Sequence, residues 1–151
     1  MSHYDADIMI WSEHQSELLR RRAAGELVNE AELDWFNIAE EIESLGKTIG
    51  RELAKRISTI LIQLMKLQAS PAVEPRIGLF ETIREQRDEI EGLLKDAPSL
   101  RQKVPAIIGE KLAVARKRVR AALADYDEQP CVDIDSLTFT AEQVLEDWFP
   151  D

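Results

Sequence analysis

The chain has 151 residues, 44% hydrophobic, 32% charged and 6% aromatic, with 19 basic against 29 acidic side chains and a net charge of −10. Length and apolar content predict one ordered soluble domain over 1–151 and exclude disorder driven by charge. A pI near 4.8 makes the whole-molecule field repel phosphate backbones, so nucleic acid is an unlikely partner.

The first element is a helix over about Asp5 to Ala24, because Tyr4, Ile8, Trp11, Gln15, Leu18 and Arg22 recur at helical spacing and Gly25 supplies a stop. Arg20, Arg21 and Arg22 end it, where cations complement the helix dipole. The next pattern keeps one phase from Trp35 through Ile42, Leu45, Ile49, Leu53, Ile57, Ile60 and Leu64 to Leu67, and stops before Pro71. It predicts one long helix over about 34–69. Gly46 and Gly50 interrupt its chemistry, leaving open a break or the close approach of a neighbouring backbone. About 35 helical residues extend roughly 50 Å, more than a small domain is wide. Part of the stripe, with Ile57 to Leu67 as the test segment, is therefore expected to be covered by a second chain.

After a turn at Pro71 and Pro75, a third helix runs from about Ile77 to Asp96 and ends before Pro98. Ser99 is the expected cap of a fourth, which carries Leu100, Val104, Ile108, Ala115 and Val119, bends at Pro105 and fades near Ala124. Residues 125–139 read as an irregular acidic connection. Thr140-Ala141-Glu142-Gln143 then matches a capping box, which opens a short docking helix over 140–149 anchored by Leu145, Trp148 and Phe149. The fold class is all-α: an up-down antiparallel helical bundle of about four helices with one long member.

The opening residues, Met1-Ser2-His3-Tyr4-Asp5-Ala6-Asp7, lack the basic start and apolar run of a secretory leader. Thr59 to Met65, the most apolar stretch, is far short of the ~20 residues that cross a bilayer. The lone Cys131 has no internal disulfide partner. The expected setting is cytoplasmic, without a membrane partner.

Chemistry-bearing motifs are few. Gly46-Lys47-Thr48 resembles the end of a phosphate-binding loop, but Glu41 stands where that loop needs glycine and no strand precedes it. The cluster Glu40, Glu41 and Glu43 lacks the Glu-x-x-His partners of a di-metal bundle, and one cysteine with two histidines makes no zinc set, so neither metal nor cofactor is expected. His14 lies beside the stripe of its helix and reads as a surface residue. Arg87 shares the inward face of Phe80, Ile83, Ile90 and Leu94, whereas Arg84 does not. A guanidinium so aimed needs a carboxylate or carbonyls. A bridge from Arg87 to Glu41 or Glu43 is the expectation. Glu40, Glu41, Glu43, Arg84 and Arg87 form the candidate polar pocket or ion pair, and no catalytic residue is assigned. Two basic groups, Arg20 to Arg22 and Arg116-Lys117-Arg118 with Arg120, read as helix ends answered by the acidic segments.

Several segments carry a family resemblance: Tyr4, Asp7, Trp11 and Gln15 before Leu18-Leu19; Asn37-Ile38-Ala39-Glu40-Glu41-Ile42-Glu43-Ser44-Leu45-Gly46; Thr82 to Arg87; Pro98-Ser99-Leu100; and Thr140 to Trp148. Together the sequence resembles the bacterial "domain of unknown function 29" family, common in cyanobacteria, over nearly its whole length. The resemblance implies a small all-helical protein and no activity, substrate or cofactor. Gln63 departs from it, standing where related sequences often carry His.

These readings favour a non-enzymatic module for protein–protein interaction or structure, working as a homo-oligomer or with a protein partner. The alternatives are a small-molecule binder or enzyme built on the Glu/Arg pocket, and a weak nucleic-acid-binding or regulatory protein with an acidic tail.

Overall fold

In the computed structural model, which describes residues 3–72 and 76–151, the helical spacing becomes six α-helices, with no strand among the described residues. They are α1 (His3–Ala6), α2 (Ile8–Ala23), α3 (Trp35–Ala69), α4 (Arg76–Asp96), α5 (Val104–Asp125) and α6 (Ala141–Leu145). The fold is all-α with four long helices, as the periodicity predicts.

The single helix expected over Asp5 to Ala24 is two. Asp7 adopts an extended backbone, and its carboxylate accepts from the Met9 and Ile10 amides, so a short acidic side chain starts a new helix instead of continuing the old one. Gly25 stops α2 as expected, with a positive φ of 85° and its amide bonded to the Arg22 carbonyl. The long helix runs unbroken for 35 residues. Neither glycine breaks it, and a Cβ built on Gly46 or Gly50 would meet nothing within 4 Å, so no neighbouring backbone approaches them.

Two compact units divide the chain, Met1–Thr48 and Ile49–Asp151. In the first, Trp11, Gln15 and Leu18 of α2 are buried together with Leu33. In the second, α3 contributes Leu53, Ile57, Ile60, Leu61, Leu64 and Met65, all fully buried, to a core completed by Ile83 and Ile90 of α4 and by Val104, Ile108 and Val119 of α5. Ile57 to Leu67 is thus covered by the chain's own helices and awaits no second chain. With 21 and 22 residues, α4 and α5 span roughly 30 Å each, enough to clothe that part of the rod.

Ser99 is not a helix cap. It lies in a 3-10 turn over Pro98–Lys103, and α5 opens at Val104 with Pro105 in its first turn. Proline's missing N–H is no loss there, so Pro105 starts the helix and does not bend it. The turn expected at Pro71 and Pro75 falls partly on residues 73–75, outside the described residues. At the other end the capping box forms in full: Thr140 Oγ1 accepts from the Gln143 amide, and Gln143 Oε1 accepts from the Thr140 amide. The helix it opens is shorter than expected. It ends at Leu145, and the chain bearing Trp148 and Phe149 packs on the core without being helical.

Candidate functional site

Among the described residues, Arg87 is the one charged side chain in the core, 7% exposed. Its partners are backbone carbonyls: Nε donates to Val144 O at 2.9 Å, and Nη2 donates to Gln143 O at 2.8 Å and Trp148 O at 2.6 Å. The guanidinium also stacks on Phe149, 4.8 Å from the ring centroid. Since α6 has only five residues and ends in an extended turn, its last carbonyls lack helical partners, and a planar fork of donors meets that need. The carboxylate bridge expected for Arg87 is therefore replaced by carbonyls. Burial pushes the guanidinium pKa down, Asp147 pulls it up and Arg84 lowers it further. Arg84 is exposed and lies over Phe149 and Phe80, at 5.2 and 5.9 Å.

The three glutamates lie in the first unit, and two of them have partners there. Half-buried Glu41 accepts from Tyr4 Oη at 2.6 Å, Glu43 pairs with Lys47 at 3.1 Å on the helix surface, and Glu40 is exposed. The hydrogen bond to Glu41 raises the Tyr4 pKa above its ordinary 10, with desolvation and the neighbouring acids adding to the effect.

A second polar cluster sits at the head of α3. Asp34 accepts from Asn37 Nδ2 at 2.7 Å and from Trp11 Nε1 at 2.9 Å. These bonds, from Asn37 first, hold its carboxyl below the usual range against the opposing effect of desolvation. Gln15, 5% exposed, clamps the same turn: Nε2 donates to Glu32 O and Oε1 accepts from the Asp34 amide, both at 2.9 Å. The sequence places Gln15 on the buried stripe, which is the signal that it must find two partners.

Both basic groups are partly engaged. Arg21 pairs with Glu26 and Arg22 with Glu30; Arg116 donates to Leu137 O and Arg120 pairs with Asp135. His14 is exposed near Glu32. A shallow groove of about 350 Å³ in the second unit is lined by Lys66, Ser70, Leu79, Leu123, Tyr126 and Glu128, and holds none of the candidate residues. Among the described residues, no three His, Cys, Asp or Glu side chains gather as a metal site, and no helix is long and apolar enough to cross a membrane.

The apolar stripe of α3 behaves differently along its length. Tyr4 reaches α3 at Glu41, and full burial begins at Leu53. Between them, every residue from Ile42 to Thr48 is exposed, including Ile42 at 68% and Leu45 at 63%. Trp35 and Phe36 are exposed as well.

The family model described as Domain of unknown function DUF29 matches residues 3–149. The chain belongs to the DUF29 family. The match takes in the glutamate-rich segment of α3, Arg87 and the carbonyls that Arg87 holds. No curated protein and no solved structure matches the chain significantly. DUF29 carries no assigned activity in its description, so no residue role passes to this chain from it.

Proposed function

We propose that this DUF29 protein is a non-enzymatic interaction module, with α3 between Trp35 and Thr48 as its contact surface. One observation carries the reading: the stripe that is fully buried from Leu53 onward presents Leu45 and Ile42 to solvent about two and three turns earlier, with Trp35 exposed two turns before Ile42. Isolated exposed apolar side chains are ordinary, but Trp35, Ile42 and Leu45 lie within about 80° of arc on one helix, and large apolar groups so gathered mark a surface built to be covered. Arg87, Glu41 and Glu43 take structural partners within their own units, which supports a scaffolding role for them.

Hydroxyl-radical footprinting tests this, with Leu27, 92% exposed, as the internal reference. In cells expressing the chain, Ile42 and Leu45 should be labelled several-fold less than Leu27. Equal labelling of all three would refute a contact role for the surface.

A further inference from the structure

Which partner fits that surface follows from the charge order along α3. Residues 35–46 carry Glu40, Glu41 and Glu43 and no lysine or arginine, a net charge of −3. Residues 47–56 carry Lys47, Arg51, Lys55 and Arg56 against Glu52, a net charge of +3. The helix is thus an axial charge dipole whose sign changes inside the bare stretch, next to Gly46. A parallel copy would set like charges side by side, whereas an antiparallel copy sets the acidic part of each helix beside the start of the basic part of the other.

The apolar geometry fits the same arrangement. At about 100° per residue, Trp35, Ile42 and Gly46 fall within roughly 40° on α3, with Ala39 adjoining and Glu43 and then Lys47 along one edge. All six are exposed. Gly46 offers a flat spot, since a Cβ there would touch nothing within 4 Å. Two-fold closure makes each such contact count twice.

We infer that the partner is a second copy of this chain, paired antiparallel through α3 with Ile42 of each copy seated over Gly46 of the other. This rests on the reading of the surface as a contact site and names its occupant. In that register Glu43 of each copy lies about two residues, roughly 3 Å along the axis, from Lys47 of the other and equally far from its Glu43, so the two lysines flank and offset the two central glutamates along the edge of the contact. Glu43 and Lys47 already pair within one chain, and the second copy turns that local pair into a four-membered network.

Analytical ultracentrifugation of the full chain tests the pairing. The wild type should show a reversible monomer–dimer equilibrium that weakens as salt screens the charges. Glu43→Lys and Lys47→Glu should each weaken it about tenfold, because each replaces two attractions with two repulsions. An equimolar mixture of the two variants should restore dimer, since the altered residues then face opposite charge. Gly46→Gln should keep the helical circular dichroism and lose the dimer. Failure of the mixture to restore dimer, or a Gly46→Gln chain that dimerises like wild type, overturns the antiparallel pairing. A wild-type monomer at about 1 mM overturns it as well, at an association energy weaker than about −4 kcal/mol. The footprint then decides the broader reading: Ile42 and Leu45 protected in cells leave the contact surface standing for another protein, and free labelling removes both.

Discussion

Replacing Arg87 with Leu should detach the C-terminal segment from the second core. Leucine fills part of the volume but donates nothing, so the carbonyls of Gln143, Val144 and Trp148 lose the donors now 2.6–2.9 Å away. Hydrogen bonds from a charged donor contribute about 1.5–3 kcal/mol each, and a buried carbonyl left unpaired costs about 1–3 kcal/mol. Against this stands relief from desolvating a guanidinium, the cause that lowers its pKa. The segment also has an escape, since it can lift off and hydrate its carbonyls at the expense of the Phe80–Phe149 edge contact and the burial of Val144. The net expectation is about 3 kcal/mol, or roughly 10 °C in Tm for a chain of this size. Arg84→Leu removes only an exposed guanidinium resting on two rings and should cost under about 1 kcal/mol. Thermal unfolding of both variants checks the difference, and amide exchange from Val144 to Trp148 checks its location. Equal melting temperatures, or unchanged exchange in the Arg87→Leu chain, would refute the carbonyl clamp.

Gln15→Leu should destabilise the first unit by about 1–3 kcal/mol, measured by urea unfolding, because it strands the Glu32 carbonyl and the Asp34 amide. Since the folded Asp34 pKa is depressed, its contribution is present above the unfolded carboxylate value and lost as pH falls through the folded one. Asp34→Asn should accordingly flatten the acid limb of the first unit's stability curve. Tyr4 runs the other way: its raised pKa makes its contribution full below pH 10 and lost as pH climbs through the folded value, an effect that Tyr4→Phe should abolish. Thr140→Ala should cost about 1 kcal/mol by denaturant titration, half of a reciprocal cap being lost.

Periodicity made the long helix legible almost to the residue, since its stripe from Trp35 to Leu67 keeps one phase and Pro71 closes it. The capping box at Thr140 was equally readable, because its chemistry is local. What the sequence hid is where two local signals compete. Asp7 sits in a helical pattern yet caps a new helix, and Ser99 looks like a cap yet lies in a turn set by Pro98 and Pro105. The periodicity aims Arg87 inward, but its partners lie more than fifty residues further along the chain and are carbonyls, which every residue carries and no pattern singles out. The uneven covering of α3 was also beyond reach. Hydropathy shows that a stripe exists, and only the lengths of the neighbouring elements decide which half of it is clothed.

The clamp on the C-terminal segment has a consequence for biosynthesis. Phe139, Val144 and Phe149 all pack on the surface formed by α3, α4 and α5, so those helices can be complete on the ribosome while their shared interior is still wet. Arg87 must wait, its charge hydrated, until translation has passed Trp148. A chain arrested or cleaved before Phe139 would keep its four long helices but show greasy surface to proteases and chaperones.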